Sequence, residues 1–127
     1  MLGVTALFSM TSTATSTDEI VRQASTAVLP VGSFEQHGAH LPLVTDTLIA
    51  CAIASRISAA YRLLLLPPIT VSCSHEHAGF PGTVSIRAIT LAAVVQDIVE
   101  SLTRSGITAV ALVNGHGGNH VLANLVC

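Results

Sequence analysis

Two clusters of histidine and acid hold most of the metal-binding chemistry in this 127-residue chain: GSFEQHGAHLPLVTD, Gly32 to Asp46, and VNGHGGNH, Val113 to His120. Carboxylate and imidazole are the donors that zinc, manganese and iron take. Each cluster follows a short run of β-forming apolar residues, AVLPV before the first and ITAVALV before the second. In an open α/β sheet, ligands bind in the crevice outside the carboxyl ends of the strands. Glu35, His37, Asp46 and His116 are therefore expected to converge from distant parts of the chain. Glu35 and His37, two apart in an extended loop, project the same way. Asp46, at a helix N-terminus, can bridge two ions while favoured by the helix dipole. Two-metal hydrolases hold their ions about 3.5–4 Å apart, an arrangement that a bridging carboxylate with terminal His and Glu suits. Taken singly, Asp46 reads as a helix N-cap and His37 as a loop histidine. The strand-end placement of both clusters turns the joint reading towards metal, and the chain reads as half of a metallohydrolase.

His116 lies in a Gly-His-Gly-Gly-Asn turn, where glycines let the backbone bend and approach a ligand closely. A phosphate cradle is disfavoured because no Lys-Ser/Thr pair follows. An α/β-hydrolase oxyanion loop is excluded by the lack of a G-x-S-x-G elbow. Glu76 and His77, beside His75, are the candidate catalytic groups for proton transfer, since His and Glu are the usual acids and bases. A solvated polar loop is the competing reading there. His120 reads as a helix-start residue and His40 as structural.

Composition sets the outer limits. Half of the residues are apolar and 9 % are charged, against about 25 % charged in soluble domains. So few charges imply burial in an oligomer, or membership of a larger fold whose other part covers the apolar surface. A net charge of −2, with five arginines and no lysine or tryptophan, gives neither a basic field nor a stacking platform for nucleic acid. Charged residues interrupt every apolar stretch before the roughly 18 residues of a spanning helix. The N-terminus lacks a positive n-region and a cleavage site, and reads as a tail rather than a signal. The three cysteines form no C-x-x-C pair, which points to reduced thiols in a cytoplasmic protein.

These clusters need a scaffold. Residues 1–17 are Ser/Thr-rich and read as a disordered leader. Strands are expected at Ala27–Gly32, at Leu63–Leu66 (stopped by Pro67-Pro68) and at Ile107–Val113. A helix after Thr45 or Asp46 carries Ile49, Ala52, Ile53, Ile57 and Ala60 at helical spacing. A clearer helix, Ala88–Ser105, bears the stripe Leu91, Val94, Val95, Ile98, Leu102 and is closed by Gly106. Val71–Thr83 is irregular, and a last helix starts near His120. The alternation implies an α/β fold around a parallel sheet with right-handed crossovers.

On VLPVGSFEQHGAHLPLVTDTLIA, SHEHAGFPGTVSI and LVNGHGGNH, the chain closely resembles the creatininase (creatinine amidohydrolase) family. The resemblance runs from about Val28 to the C-terminus and implies a three-layer, parallel-sheet α/β fold, truncated after its third strand. Residues 18–127 would be the N-terminal half of such a domain. It implies hydrolysis of a C–N amide bond with two divalent ions (Zn, Fe or Mn), a peptide or small amide substrate, and a homo-oligomer when complete. By motif match, Glu35, His37, Asp46 and His116 occupy the family's metal-ligand positions. The Gly-His-Gly-Gly-Asn form is most similar to the branch that trims a C-terminal dipeptide from the mycofactocin precursor peptide. Formamide deformylases and creatinine-type cyclic amidohydrolases stay open as alternatives, as does a non-catalytic metal-binding or subunit-interaction remnant. Creatininase places a ligand glutamate two residues after the motif histidine, where this chain has Gly118. Members with Gly-Gly there resemble one another in taking that acid from farther downstream, so a fragment, truncated gene or frameshift product is expected.

Overall fold

The computed structural model of the chain describes residues 10–126. Residues 1–9 of the expected leader lie outside the described residues, and its last two positions belong to a helix instead. This helix, α1 (Ser16–Arg22), was not foreseen. A capping box starts it: Thr15 Oγ1 accepts from Asp18 N–H, while the Asp18 carboxylate accepts from Thr15 N–H at 2.7 Å. Reciprocal capping satisfies two otherwise orphaned donors, and that is what holds a helix with no buried residue.

The strands follow expectation within a residue or two: β1 (Thr26–Val31), β2 (Leu64–Leu65) and β3 (Ala109–Asn114). They form one parallel sheet in the order β2-β1-β3. Pro67-Pro68 end β2, yet pairing with β1 resumes beyond them, where Ile69 N–H donates to Pro30 O at 3.0 Å. Side chains alternate across a strand. Leu29 and Val31 of β1 face α3 (Ala88–Arg104) and α4 (Val121–Val126), sharing a core with Leu91, Val95 and Leu122. On the opposite face, α2 (Thr45–Tyr61) packs against β1 and β3. The result is the expected three-layer arrangement, with β1 fully enclosed.

One expectation about α2 fails. The face it buries is Asp46, Thr47, Ala50, Cys51, Ala54 and Ser58, while Ile49 and Ile53 are about half exposed, at 49 % and 47 %. The larger apolar residues point outward because α2 lies too close to the sheet to admit them. A Cβ on Gly32 would sit 2.1 Å from Thr47 Oγ1, and one on Gly115 would sit 2.5 Å from the Asp46 carbonyl oxygen. Only small side chains fit so close an approach. The helix thereby sets its first turn directly on the carboxyl ends of β1 and β3. No helix among the described residues is long and apolar enough to cross a membrane.

Candidate metal centre

β1 and β3 end side by side, with Gly115 N–H donating to Val31 O at 2.8 Å. The loops leaving them bring Glu35, His37 and His116 to the first turn of α2, which supplies Asp46. All four ligand candidates therefore meet at the sheet's carboxyl edge. Asp46 is not the N-cap: that position is Val44, and no side chain caps the helix. Its carboxylate is spent between the two imidazoles. Oδ1 lies 2.9 Å from His37 Nε2, and Oδ2 lies 2.8 Å from His116 Nδ1. Ser33, buried and unremarked in the sequence, donates its hydroxyl to Asp46 Oδ2 at 2.8 Å.

The other nitrogen of each imidazole fixes its protonation. His116 Nε2 lies 2.8 Å from the Cys73 carbonyl and His37 Nδ1 lies 3.1 Å from the Glu35 carbonyl. A carbonyl only accepts, so both of those nitrogens carry hydrogen. The nitrogens left over, His37 Nε2 and His116 Nδ1, face carboxylate oxygens. Each must either bear a second proton or direct its lone pair at a cation. Anchoring of one ring nitrogen by a carbonyl is the usual outer support of a metal-binding histidine. Without an ion, protonation of His37 is favoured: the Glu35 carbonyl, then the Asp46 carboxylate, raise it above its ordinary pKa against the opposing effect of burial.

Glu35 is 4 % exposed. Its Oε1 lies 3.3 Å from His116 Nδ1, and its Oε2 has no hydrogen-bond partner. Burying a carboxylate oxygen unpaired is expensive unless a cation compensates it. Among the described residues, two groups have donor atoms within 4.8 Å of one another, Glu35-His37-Asp46 and Glu35-Glu76-His116. The donor set, the orphaned oxygen and the lone-pair directions all fit a divalent cation.

His77 differs. Gly38 N–H donates to Gln36 Oε1 at 3.0 Å, which turns the Gln36 amide nitrogen towards His77 Nδ1 at 2.9 Å. Nδ1 must then accept, so Nε2 bears the hydrogen and faces Glu35 Oε1 at 3.9 Å. Glu76, on the same 3-10 turn (His75–His77), is half exposed, with Oε1 3.9 Å from His116 Nε2. His40, His75 and His120 are exposed and outside both groups. Asn119 was missed as well: its side chain accepts from Cys73 N–H at 3.2 Å and donates to Gly32 O at 3.3 Å and Asn114 Oδ1 at 3.1 Å. One amide thus joins three of the loops around the centre. Buried Cys73 has its thiol pKa raised, by burial and then by the charge of Glu76.

Residues 10–127 match the creatininase family, described as creatinine amidohydrolase. The chain is 42 % identical over 98 residues to the mycofactocin precursor peptide peptidase of Mycolicibacterium smegmatis, covering 72 % of this chain and 39 % of that protein. It is 37 % identical over 97 residues to the creatinine amidohydrolase of Pseudomonas putida, covering 72 % of this chain and 37 % of that one. The chain thus spans well under half the length of these curated relatives. A crystal structure of creatininase superposes with a TM-score of 0.81 at 31 % identity, covering 90 % of this chain and 48 % of its own. Related creatininase structures are described as Mn and Zn-Zn forms.

Proposed function

The chain belongs to the creatininase family, and on that premise we propose that it forms the metal-holding part of a hydrolase that cleaves a C–N amide bond. Glu35, His37, Asp46 and His116 hold the metal, with Asp46 shared between the two histidines. The observation that carries this reading is the pair of imidazoles, each anchored by a backbone carbonyl and each aiming its free nitrogen at Asp46. When bound, a divalent ion supplies Lewis-acid polarisation of a carbonyl and a lowered pKa for water. Ser33 orients the Asp46 carboxylate through its hydroxyl. His77 presents an Nε2–H at the edge of the centre that can hydrogen-bond the amide oxygen, while the departing nitrogen takes its proton from the attacking water as the C–N bond breaks and the water's oxygen joins the acyl carbon. Gln36 keeps His77 in the tautomer that presents this hydrogen.

A peptide is the favoured substrate, supported by the 42 % identity to a precursor-peptide peptidase. A small cyclic amide is the second reading, supported by the 37 % identity to creatinine amidohydrolase. Mass spectrometry of a mycofactocin-type precursor peptide and of creatinine, each incubated with the metal-loaded protein, separates them. Asp46→Ala should abolish stoichiometric metal and turnover together. Full turnover by a metal-free preparation would refute the metal assignment.

A further inference from the structure

His116 is held by the Cys73 carbonyl, which accepts from Nε2 at 2.8 Å. That carbonyl shares one planar peptide group with the Ser74 N–H. The N–H at the other end donates to Ser85 Oγ, also at 2.8 Å. Both ends of the peptide are thus tied, and its plane cannot turn without breaking a bond. Ser74 is fully buried and its own hydroxyl has no partner, so neither bulk water nor the Ser74 side chain stands in for Ser85 as the acceptor. The Ser85 hydroxyl hydrogen turns to the Ile86 carbonyl at 3.5 Å, which leaves oxygen lone pairs for the N–H. Residues 83–86 run between the two loops of the centre: Val84 N–H donates to Phe34 O and Ile86 N–H to Ser72 O, each at 2.9 Å. Side chains two apart in an extended segment point the same way. Thr83 Oγ1 accepts from Gln36 N–H at 3.1 Å. One short segment therefore braces, with two hydroxyls, both the loop of Glu35 and His37 and the peptide behind His116.

We propose that Ser85 is a positioning residue for His116, acting through the Cys73–Ser74 peptide to hold the imidazole in the orientation that presents Nδ1 to the metal. The role rests on the metal reading above and goes beyond it, because Ser85 carries no charge and acts on the centre only through backbone. A peptide group bonded at both ends is more strongly polarised than one bonded at its carbonyl alone. Ser85 thus fixes the direction of the Cys73 carbonyl and also strengthens it as the acceptor for His116 Nε2–H.

The test pairs metal affinity with the imidazole protons. Competition for Co2+ between the metal-free protein and a chromophoric chelator gives the affinity. Proton NMR of the Zn2+-loaded protein reads the anchored N–H of His116 and that of His37. Ser85→Ala should lower Co2+ affinity about 10-fold, at the weaker end of the 10–100-fold that loss of an outer partner costs. The His116 Nε2–H resonance should move upfield and exchange faster with water. The His37 Nδ1–H, bonded to the Glu35 carbonyl at 3.1 Å, should stay where it is. Ser85→Thr keeps the hydroxyl and should match wild type in both readouts. Ser85→Cys, whose sulfur is a weak acceptor, should fall between Thr and Ala, and it decides the matter if the alanine variant does not fold. Wild-type affinity in Ser85→Ala or Ser85→Cys, or equal disturbance of both imidazole protons, would overturn the role of Ser85 and leave the metal reading standing. Wild type that binds no Co2+ would overturn the metal reading and this role with it.

Discussion

Replacing Glu35 with glutamine should stabilise the metal-free protein and disable the metal-loaded one. In the absence of an ion, Glu35 buries an acceptor, Oε2, with no donor, and its Oε1 faces His116 Nδ1 at 3.3 Å. Leaving a buried acceptor unsatisfied costs about 1–3 kcal/mol, more for a charged one. Glutamine has nearly the same shape and removes the buried charge, and its amide oxygen can accept from His116 Nδ1 in place of Oε1. Metal-free Glu35→Gln should therefore gain about 1–3 kcal/mol, or roughly 4–12 °C at about 4 °C per kcal/mol for a domain of this size. With the ion present the order should change. A ligand at 100 times its Kd stabilises by about 2.7 kcal/mol. If the variant binds about 100-fold more weakly, the same concentration gives it only about 0.4 kcal/mol. The assay is thermal or urea unfolding of both proteins, each with chelator and with Zn2+ or Mn2+. A variant that is less stable than wild type in chelator and gains as much from metal would refute the argument that Glu35 is held in place for a cation.

Ser33→Ala removes the hydroxyl that orients Asp46; chelator competition should show metal affinity reduced about 10–100-fold, with little change in the circular dichroism of the fold. Burial raises the Cys51 and Cys73 thiol pKa values, so both should react slowly with a thiol reagent at pH 8 in the native state and quickly in denaturant. Mass mapping of the labelled peptides checks this, and fast native labelling of Cys73 would contradict its burial. The Thr15 backbone and then its hydroxyl hold the Asp18 carboxyl below its ordinary 3.8. A depressed carboxyl stabilises above the unfolded pKa, and its contribution fades as pH falls through the lower folded value. Helix α1 should accordingly keep its cap from neutral pH to about 4 and lose it below, and Thr15→Ala should flatten that pH dependence in the NMR shifts of residues 16–22.

Much of the centre was legible because two strand-to-loop transitions each ended in a histidine-bearing motif, and adjacent parallel strands deliver their following loops to one edge. What linear pattern could not reveal was which face of α2 is buried. Ile49 and Ile53 carry the stronger hydrophobic signal, but the distance between helix and sheet is set by Gly32 and Gly115, which lie 83 positions apart in sequence and act together only in space. Helix α1 was hidden by its Ser/Thr-rich composition, although Thr15 followed three residues later by Asp18 is a capping signature. The supporting residues Ser33, Gln36 and Asn119 carry no distinctive spacing. Their roles lie in which atom each one meets, and for Gln36 in an amide orientation that only Gly38 N–H decides.

The Asn119 amide has a consequence for the order of events during synthesis. Its bond to the Gly32 carbonyl closes a separation of 87 residues, whereas β1 and α2 are nearly contiguous. Contacts between distant positions carry the loop-closure cost and form slowly. A ribosome releasing this chain from its N-terminus exposes Glu35, His37 and Asp46 well before His116 and Asn119 exist to complete and brace the pocket. Three of the four proposed donors are thus displayed on a nascent chain without the framework that would grip an ion. On the metal reading proposed above, capture would fall after β3 has docked on β1, when the Asn119 amide can hold the loops in place.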